Sequence, residues 1–79
     1  MDRVLDAAGA YVLPGLIDVH VHLDDRIGRF YLADDYAGGT AAAVLNGVTT
    51  VGSFVTQEAG ESLGAAMARA RAKAEGRTH

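Results

Sequence analysis

The sequence predicts an α/β chain with parallel strands. Two β-type segments alternate with two helical ones, and the first of these strands shows a strict two-residue alternation of side chains. Alternation of strands and helices implies crossover connections between parallel neighbours. The composition agrees with a globular chain: 49% of the 79 residues are hydrophobic and 22% are charged.

The elements follow in order. Residues 4–13 read as two short strand pieces around a turn, because Asp6, Ala7, Ala8 and Gly9 carry turn chemistry and Tyr11, Val12 and Leu13 are β-prone. Pro14-Gly15 breaks the chain. Residues 16–23 form the clearest strand. Leu16, Asp18, His20 and His22 share one face, and Ile17, Val19, Val21 and Leu23 share the other. Residues 24–33 have no clean period and read as a loop. Asp34 and Asp35 are candidate helix caps rather than catalytic carboxylates.

Residues 36–46 read as a small-residue helix, weakened by Gly38-Gly39 and ended by Gly47. Residues 48–55 (VTTVGSFV) are β-branched and read as a second strand. Residues 62–75 are helical, with Leu63, Met67 and Ala70 at i, i+4 and i+7, so Met67 is expected in the helix core. Arg69, Arg71, Lys73 and Arg77 read as a solvated face. Two βα units amount to about a quarter of a (β/α)8 barrel, which typically needs ~250 residues. The expected architecture is a partial (β/α)8 TIM barrel, two βα units over residues 14–79, preceded by a short β lead-in over residues 1–13.

Composition excludes several function classes. The chain has no cysteine, so no disulfide is available and a metal site must use histidines and carboxylates. Seven basic residues against ten acidic ones give a net charge of −3, with no basic block of the kind that binds nucleic acid. No apolar run approaches the roughly 20 residues that span a bilayer, and the polar start MDRVLDAAGA is not a secretory signal. The expectation is a cytoplasmic protein with no nucleic-acid or membrane partner. Serine catalysis has no support, since no serine sits in a nucleophile elbow. Gly38-Gly39 lacks the pattern of a phosphate loop.

The chemistry concentrates in Asp18-Val19-His20-Val21-His22. Two histidines at i and i+2 on a strand point the same way, with Cα atoms about 6.6 Å apart at ~3.3 Å rise per residue. Imidazoles at that spacing can converge on one ion. They also lie at the C-terminal end of the strand, where barrel enzymes place their catalytic groups. A hydrogen-bonded polar strand end is the plainer reading of the same residues.

The run Pro14-Gly15-Leu16-Ile17-Asp18-Val19-His20-Val21-His22 resembles the PGxIDxHxH signature of the amidohydrolase superfamily. Asp6-Ala7-Ala8-Gly9 with Val12 is similar to the lead-in that links a small β-sandwich domain to the barrel in those proteins. Ala33-Asp34-Asp35-Tyr36, Gly39-Thr40-Ala41-Ala42, Asn46-Gly47-Val48-Thr49-Thr50-Val51 and Ala74-Glu75-Gly76-Arg77 resemble the hydantoinase and dihydropyrimidinase branch. The resemblance implies a hydrolase of cyclic C–N bonds, acting on a hydantoin-, dihydropyrimidine- or dihydroorotate-like small cyclic amide. It implies a divalent metal, zinc in one or two copies, that generates hydroxide at neutral pH to attack the ring carbonyl.

His20 and His22 match metal ligands of the family. Asp18 matches none and is expected to orient the strand end by hydrogen bonding. Arg26, Arg29, Phe30 and Tyr31 in the following loop are candidates for substrate contact, against the plainer reading of a solvated loop. The family's bridging lysine, further histidines and catalytic aspartate have no counterpart here. Lys73, the only lysine, lies in the last helix and does not take the bridging role, and His79 reads as tail.

Two histidines do not close a catalytic zinc site, which usually has three protein ligands. The chain is therefore expected to be a fragment of a larger enzyme, inactive alone, with no catalytic residue beyond the two ligands. Other branches (dihydroorotase, allantoinase, deaminase) stay open. So does a non-catalytic module that persists by self-association as a homo-oligomer.

Overall fold

A computed structural model describes residues 2–79. Six elements follow one another: β1 (Leu16–Val21), β2 (Arg26–Ile27), β3 (Phe30–Tyr31), α1 (Tyr36–Leu45), β4 (Val48–Ser53) and α2 (Leu63–Ala74). β1 and β4 pair in parallel, and β2 and β3 form a separate antiparallel hairpin. The fold is mixed α/β around a two-stranded parallel sheet, as the alternation of elements requires. Among the described residues no helix is long and apolar enough to cross a membrane.

Local chemistry accounts for both ends of α1 and the start of α2. Asp35 caps α1 by accepting from the Gly38 N–H at 2.7 Å, and Ser62 caps α2 by accepting from the Ala65 N–H at 3.1 Å. Asn46 closes α1, and Gly47 follows at φ +88, a conformation that favours glycine. The Gly47 carbonyl accepts from the Leu16 N–H at 2.8 Å, which ties the end of α1 to the start of β1. Gly39 has a different reason. A Cβ there would come within 2.4 Å of the Leu23 side chain, so its absence lets α1 lie against the segment that leaves β1.

The structure corrects the expectation for residues 24–33. They are not a bare loop but fold back at Gly28 (φ +61), pairing Arg26 with Tyr31 and Ile27 with Phe30. Two further backbone bonds close the base of the hairpin: Asp24 N–H to the Asp34 carbonyl at 2.8 Å, and Leu32 N–H to the Asp25 carbonyl at 3.0 Å. A two-residue ladder is too short to leave a periodic signature in the sequence.

The expected strand pieces in residues 4–13 do not form over the described residues. Met1, the first residue of the 1–13 lead-in, lies outside them. The turn does form: the Asp6 carboxylate accepts from the Ala8 N–H at 2.8 Å, and the Ala10 N–H reaches the Ala7 carbonyl at 2.9 Å. Its arms find no partner strand, and an unpaired ladder has nothing to hold it extended as a sheet.

Two further corrections concern α2. Its buried residue is Ala66, with Arg69, Ala70, Lys73 and Ala74 half-buried at i+3, i+4, i+7 and i+8. Met67 is not core: it is 51% exposed and, with Leu63, Val19, Phe54 and Val55, lines an open groove. The packing stripe is rotated toward small residues that let α2 approach its neighbours. Arg69 and Lys73 are not a free solvated face either, since both are paired.

Tyr36 and Ala66 are the buried hydrophobic residues among those described. The chain exposes 6456 Å², whereas a folded monomer of 8.2 kDa exposes roughly 4,500 Å² by the usual area scaling. The radius of gyration is 16.3 Å, against about 12 Å for a compact chain of this length. Leu16, Ile17 and Val19 of β1 remain largely exposed. Both faces of the sheet therefore present apolar surface.

Candidate metal centre

β1 carries its two histidines to the end of the parallel sheet. His20 is the fifth residue of the strand, and His22 lies one residue past its end. Their side chains project to the same side. The two Nε2 atoms are 3.2 Å apart, and the ring centroids are 5.2 Å apart with planes tilted by 51°. At this separation one imidazole can donate to the other, or both can aim a lone pair at one ion. Two nitrogens bonded to zinc at ~2.05 Å across a tetrahedral angle lie about 3.3 Å apart. The observed Nε2 separation is close to that value.

Asp18 acts on the backbone. Its Oδ1 accepts from the His20 N–H at 3.1 Å, in the stretch where the β1–β4 register is irregular, between Asp18 and Val21. The carboxylate satisfies a donor that the interrupted ladder leaves free. On the opposite strand, Gly52 allows close approach, since a Cβ there would sit 3.0 Å from the Val19 carbonyl oxygen.

Sequence reasoning missed Phe54. Its N–H donates to the Val21 carbonyl at 2.8 Å, extending the strand pairing just beyond β4. Its ring lies 4.1 Å from the His20 ring and 5.3 Å from the His22 ring, with interplanar angles of 30° and 25°. The available signal was position: Phe54 is the aromatic residue of the segment 48–55, whose C-terminal end meets the histidine end of its neighbour.

Asp25 was also missed. It is a buried carboxylate that accepts from the Thr56 hydroxyl and from the Arg26 N–H. Burial opposes its charge, but those two hydrogen bonds, aided by the positive charges of Arg69 and Lys73, outweigh it and hold its pKa below the ordinary carboxylate value. Arg69 forms a double contact with Glu61 at 3.0 Å and donates to the Thr56 carbonyl at 2.8 Å. The guanidinium beside Glu61 lowers that carboxyl's pKa, and Glu61 in turn raises that of Arg69. Lys73 donates to the Asp24 carbonyl at 2.8 Å and pairs with its carboxylate at 3.3 Å. These contacts tie the segment after β1 to the segment after β4 and to α2.

The other residues that the sequence marks as candidates lie elsewhere. Arg26, Phe30 and Tyr31 are exposed on the β2–β3 hairpin. Arg26 Nε donates to the Gly28 carbonyl, and Arg29 stacks over Phe30 at 5.2 Å. Among the described residues, no hydrogen bond or ring contact joins them to His20 or His22. His79 is exposed, and its backbone N–H reaches the Thr40 hydroxyl. Among the described residues no cluster of three or more His, Cys, Asp or Glu forms, so His20 and His22 stand as a pair without a third such group beside them.

The parallel sheet and its helices make this an α/β protein, with the histidine pair as its candidate metal centre. Comparison with known proteins gives the family. The model of the Amidohydrolase family matches residues 11–76, and the chain belongs to that family. A D-hydantoinase of Streptomyces coelicolor is 43% identical over 75 residues, covering 95% of this chain and 16% of that protein. A D-hydantoinase of Ralstonia pickettii is 44% identical over 68 residues, covering 86% and 15%. A dihydropyrimidinase of Rattus norvegicus is 43% identical over 61 residues, covering 77% and 12%. The chain therefore spans 12–16% of the length of these relatives. The comparison with solved structures gave no significant match.

Proposed function

We propose that this chain provides the first two βα units of a (β/α)8 barrel hydrolase that opens cyclic amides of the hydantoin and dihydropyrimidine type. The observation that carries the reading is the convergence of His20 and His22, whose Nε2 atoms stand 3.2 Å apart at the C-terminal end of a parallel strand. The names of the relatives support the substrate class.

In this reading His20 and His22 hold a divalent cation, zinc being the metal that suits two imidazoles and oxygen ligands. When bound, such a cation lowers the pKa of water toward neutrality and polarises a carbonyl. The chain's own residues supply the frame. Asp18 fixes the His20 backbone, and the Asp25–Thr56 and Arg69–Glu61 contacts anchor the segments that would border the substrate. Arg26, Phe30 and Tyr31 on the exposed hairpin are the groups proposed to meet the ring. The chain alone is proposed to be inactive, because it brings two ligands together and a hydrolytic zinc site needs three.

The test is a graft. Residues of this chain replace the matched segment of the S. coelicolor D-hydantoinase, and hydantoin ring opening is measured with zinc present. The expected result is activity within about tenfold of the parent, abolished by His20→Ala. Activity indifferent to His20→Ala and His22→Ala contradicts the reading, as does robust turnover by the 79-residue chain alone.

A second reading rests on the exposed area. An excess of roughly 1,900 Å² over a compact monomer exceeds the ~800 Å² that each partner buries in a standard protein interface, so the chain alone is proposed to self-associate through its sheet faces and open edges.

A further inference from the structure

Phe54 reaches the histidine pair from just beyond the neighbouring strand, and apart from the two imidazoles themselves no other aromatic ring among the described residues pairs with either of them. We propose that Phe54 is a positioning residue that presets both imidazoles for a single cation; the inference rests on the metal reading above.

Three observations carry it. The Phe54 backbone is fixed to the strand that bears the histidines, through its N–H to the Val21 carbonyl at 2.8 Å. Its ring faces both imidazoles, at 4.1 and 5.3 Å and within 30° of parallel in each case. It is 48% exposed, so burial in the core does not account for where it sits. An imidazole on a strand end has free rotation about two side-chain bonds, and two of them must stop at one mutual geometry to share an ion. A flat aromatic face restricts both rings to planes close to its own. Offset and tilted ring pairs are favourable in this distance range. Metal-binding histidines are commonly oriented through a hydrogen bond from the second ring nitrogen. Here the restraint is a face contact, and rings already held in place lose less freedom when they bind an ion.

Gly52 completes the arrangement. Without a Cβ it lets the end of β4 lie against the Val19 backbone, bringing Phe54 within reach of β1.

The experiment uses the 79-residue chain and has two readouts. The first is the proton chemical shifts of the His20 and His22 rings without metal. The second is zinc affinity by calorimetry. Wild type is expected to show ring-current displacement of both imidazole spectra. Phe54→Leu, which keeps apolar bulk but removes the face, is expected to reduce that displacement clearly, leaving the part the two imidazoles cause in each other, and to weaken zinc binding about tenfold. Phe54→Tyr, which restores the face, is expected to return both to near wild type.

Phe54→Leu with unchanged zinc affinity overturns the inference. So do wild-type imidazole spectra free of ring-current displacement, a result that needs no variant and stands even if Phe54→Leu unfolds. If the wild-type rings are displaced but zinc does not bind, or binds equally to His20→Ala/His22→Ala, the metal reading has failed and the inference falls with it. Displaced rings together with zinc binding through the histidines, but no effect of Phe54→Leu, isolate the failure to Phe54.

Discussion

The hydroxyl of Thr56 donates to the buried carboxylate of Asp25, joining two segments 31 residues apart in sequence. One follows the strand that carries the histidines, and the other follows its parallel neighbour. With Tyr36 and Ala66 as its buried hydrophobic residues, the chain depends more than usual on such polar ties. Thr56→Val leaves the Asp25 carboxylate one donor short, at a cost of about 1–3 kcal/mol. In a small, loosely packed domain that is a large share of the total stability. Urea denaturation followed by circular dichroism should show the midpoint fall or the transition disappear. An unchanged midpoint would show that the tie contributes nothing.

Acid should weaken the fold through the same group. The Asp25 and Glu61 pKa values are held below their ordinary values in the folded chain. Their contribution is therefore complete above the unfolded value of roughly 4 and is lost as pH falls through the depressed folded values. Stability measured from pH 7 to pH 2 should be level down to about pH 5 and then decline. Asp25→Asn should be less stable at pH 7 and show a shallower decline. A variant with the wild-type acid profile would remove Asp25 from the explanation.

Gly15 and Thr49 make a steric pair across the start of the sheet. A Cβ at residue 15 would fall 1.8 Å from the Thr49 Oγ1 and 2.7 Å from its Cβ. Gly15→Ala should destabilise by about 1–3 kcal/mol, as overpacking does. Thr49→Ala removes the two nearest atoms but leaves the Cβ, so the double variant should recover part of the loss. Additive losses in a double-mutant cycle would contradict this contact.

The exposed apolar surface predicts association. Sedimentation velocity at rising concentration should show the weight-average mass climbing above 8.2 kDa. A charge on the sheet face, such as Val19→Lys, should reduce it, because Val19 is 76% exposed in the single chain. A monomer at every concentration would contradict the self-association reading.

The parts legible in the sequence were those with local causes. The cap at Asp35, the left-handed glycine at Gly47 and the order of strands and helices follow from neighbours a few residues apart. The two histidines were legible because period 2 forces them onto one face. Contacts between distant segments were not. Nothing near Asp25 indicates Thr56, and nothing near Arg69 or Lys73 separates a solvated face from a pair with Glu61 or Asp24. Met67 fits the apolar spacing of a buried stripe, yet the packing face of α2 centres on Ala66, because a short side chain permits the closer approach. Phe54 looked like ordinary strand filling, and its contact with two imidazoles exists only once β1 and β4 are paired.

The convergence of His20 and His22 is tested most directly by titrating zinc into the 79-residue chain and into His20→Ala/His22→Ala by calorimetry at about pH 7.5, where neutral imidazoles are free to bind metal. One zinc per chain, with affinity at least about a hundredfold weaker in the double variant, is the predicted result. Equal affinity in the two proteins would contradict it.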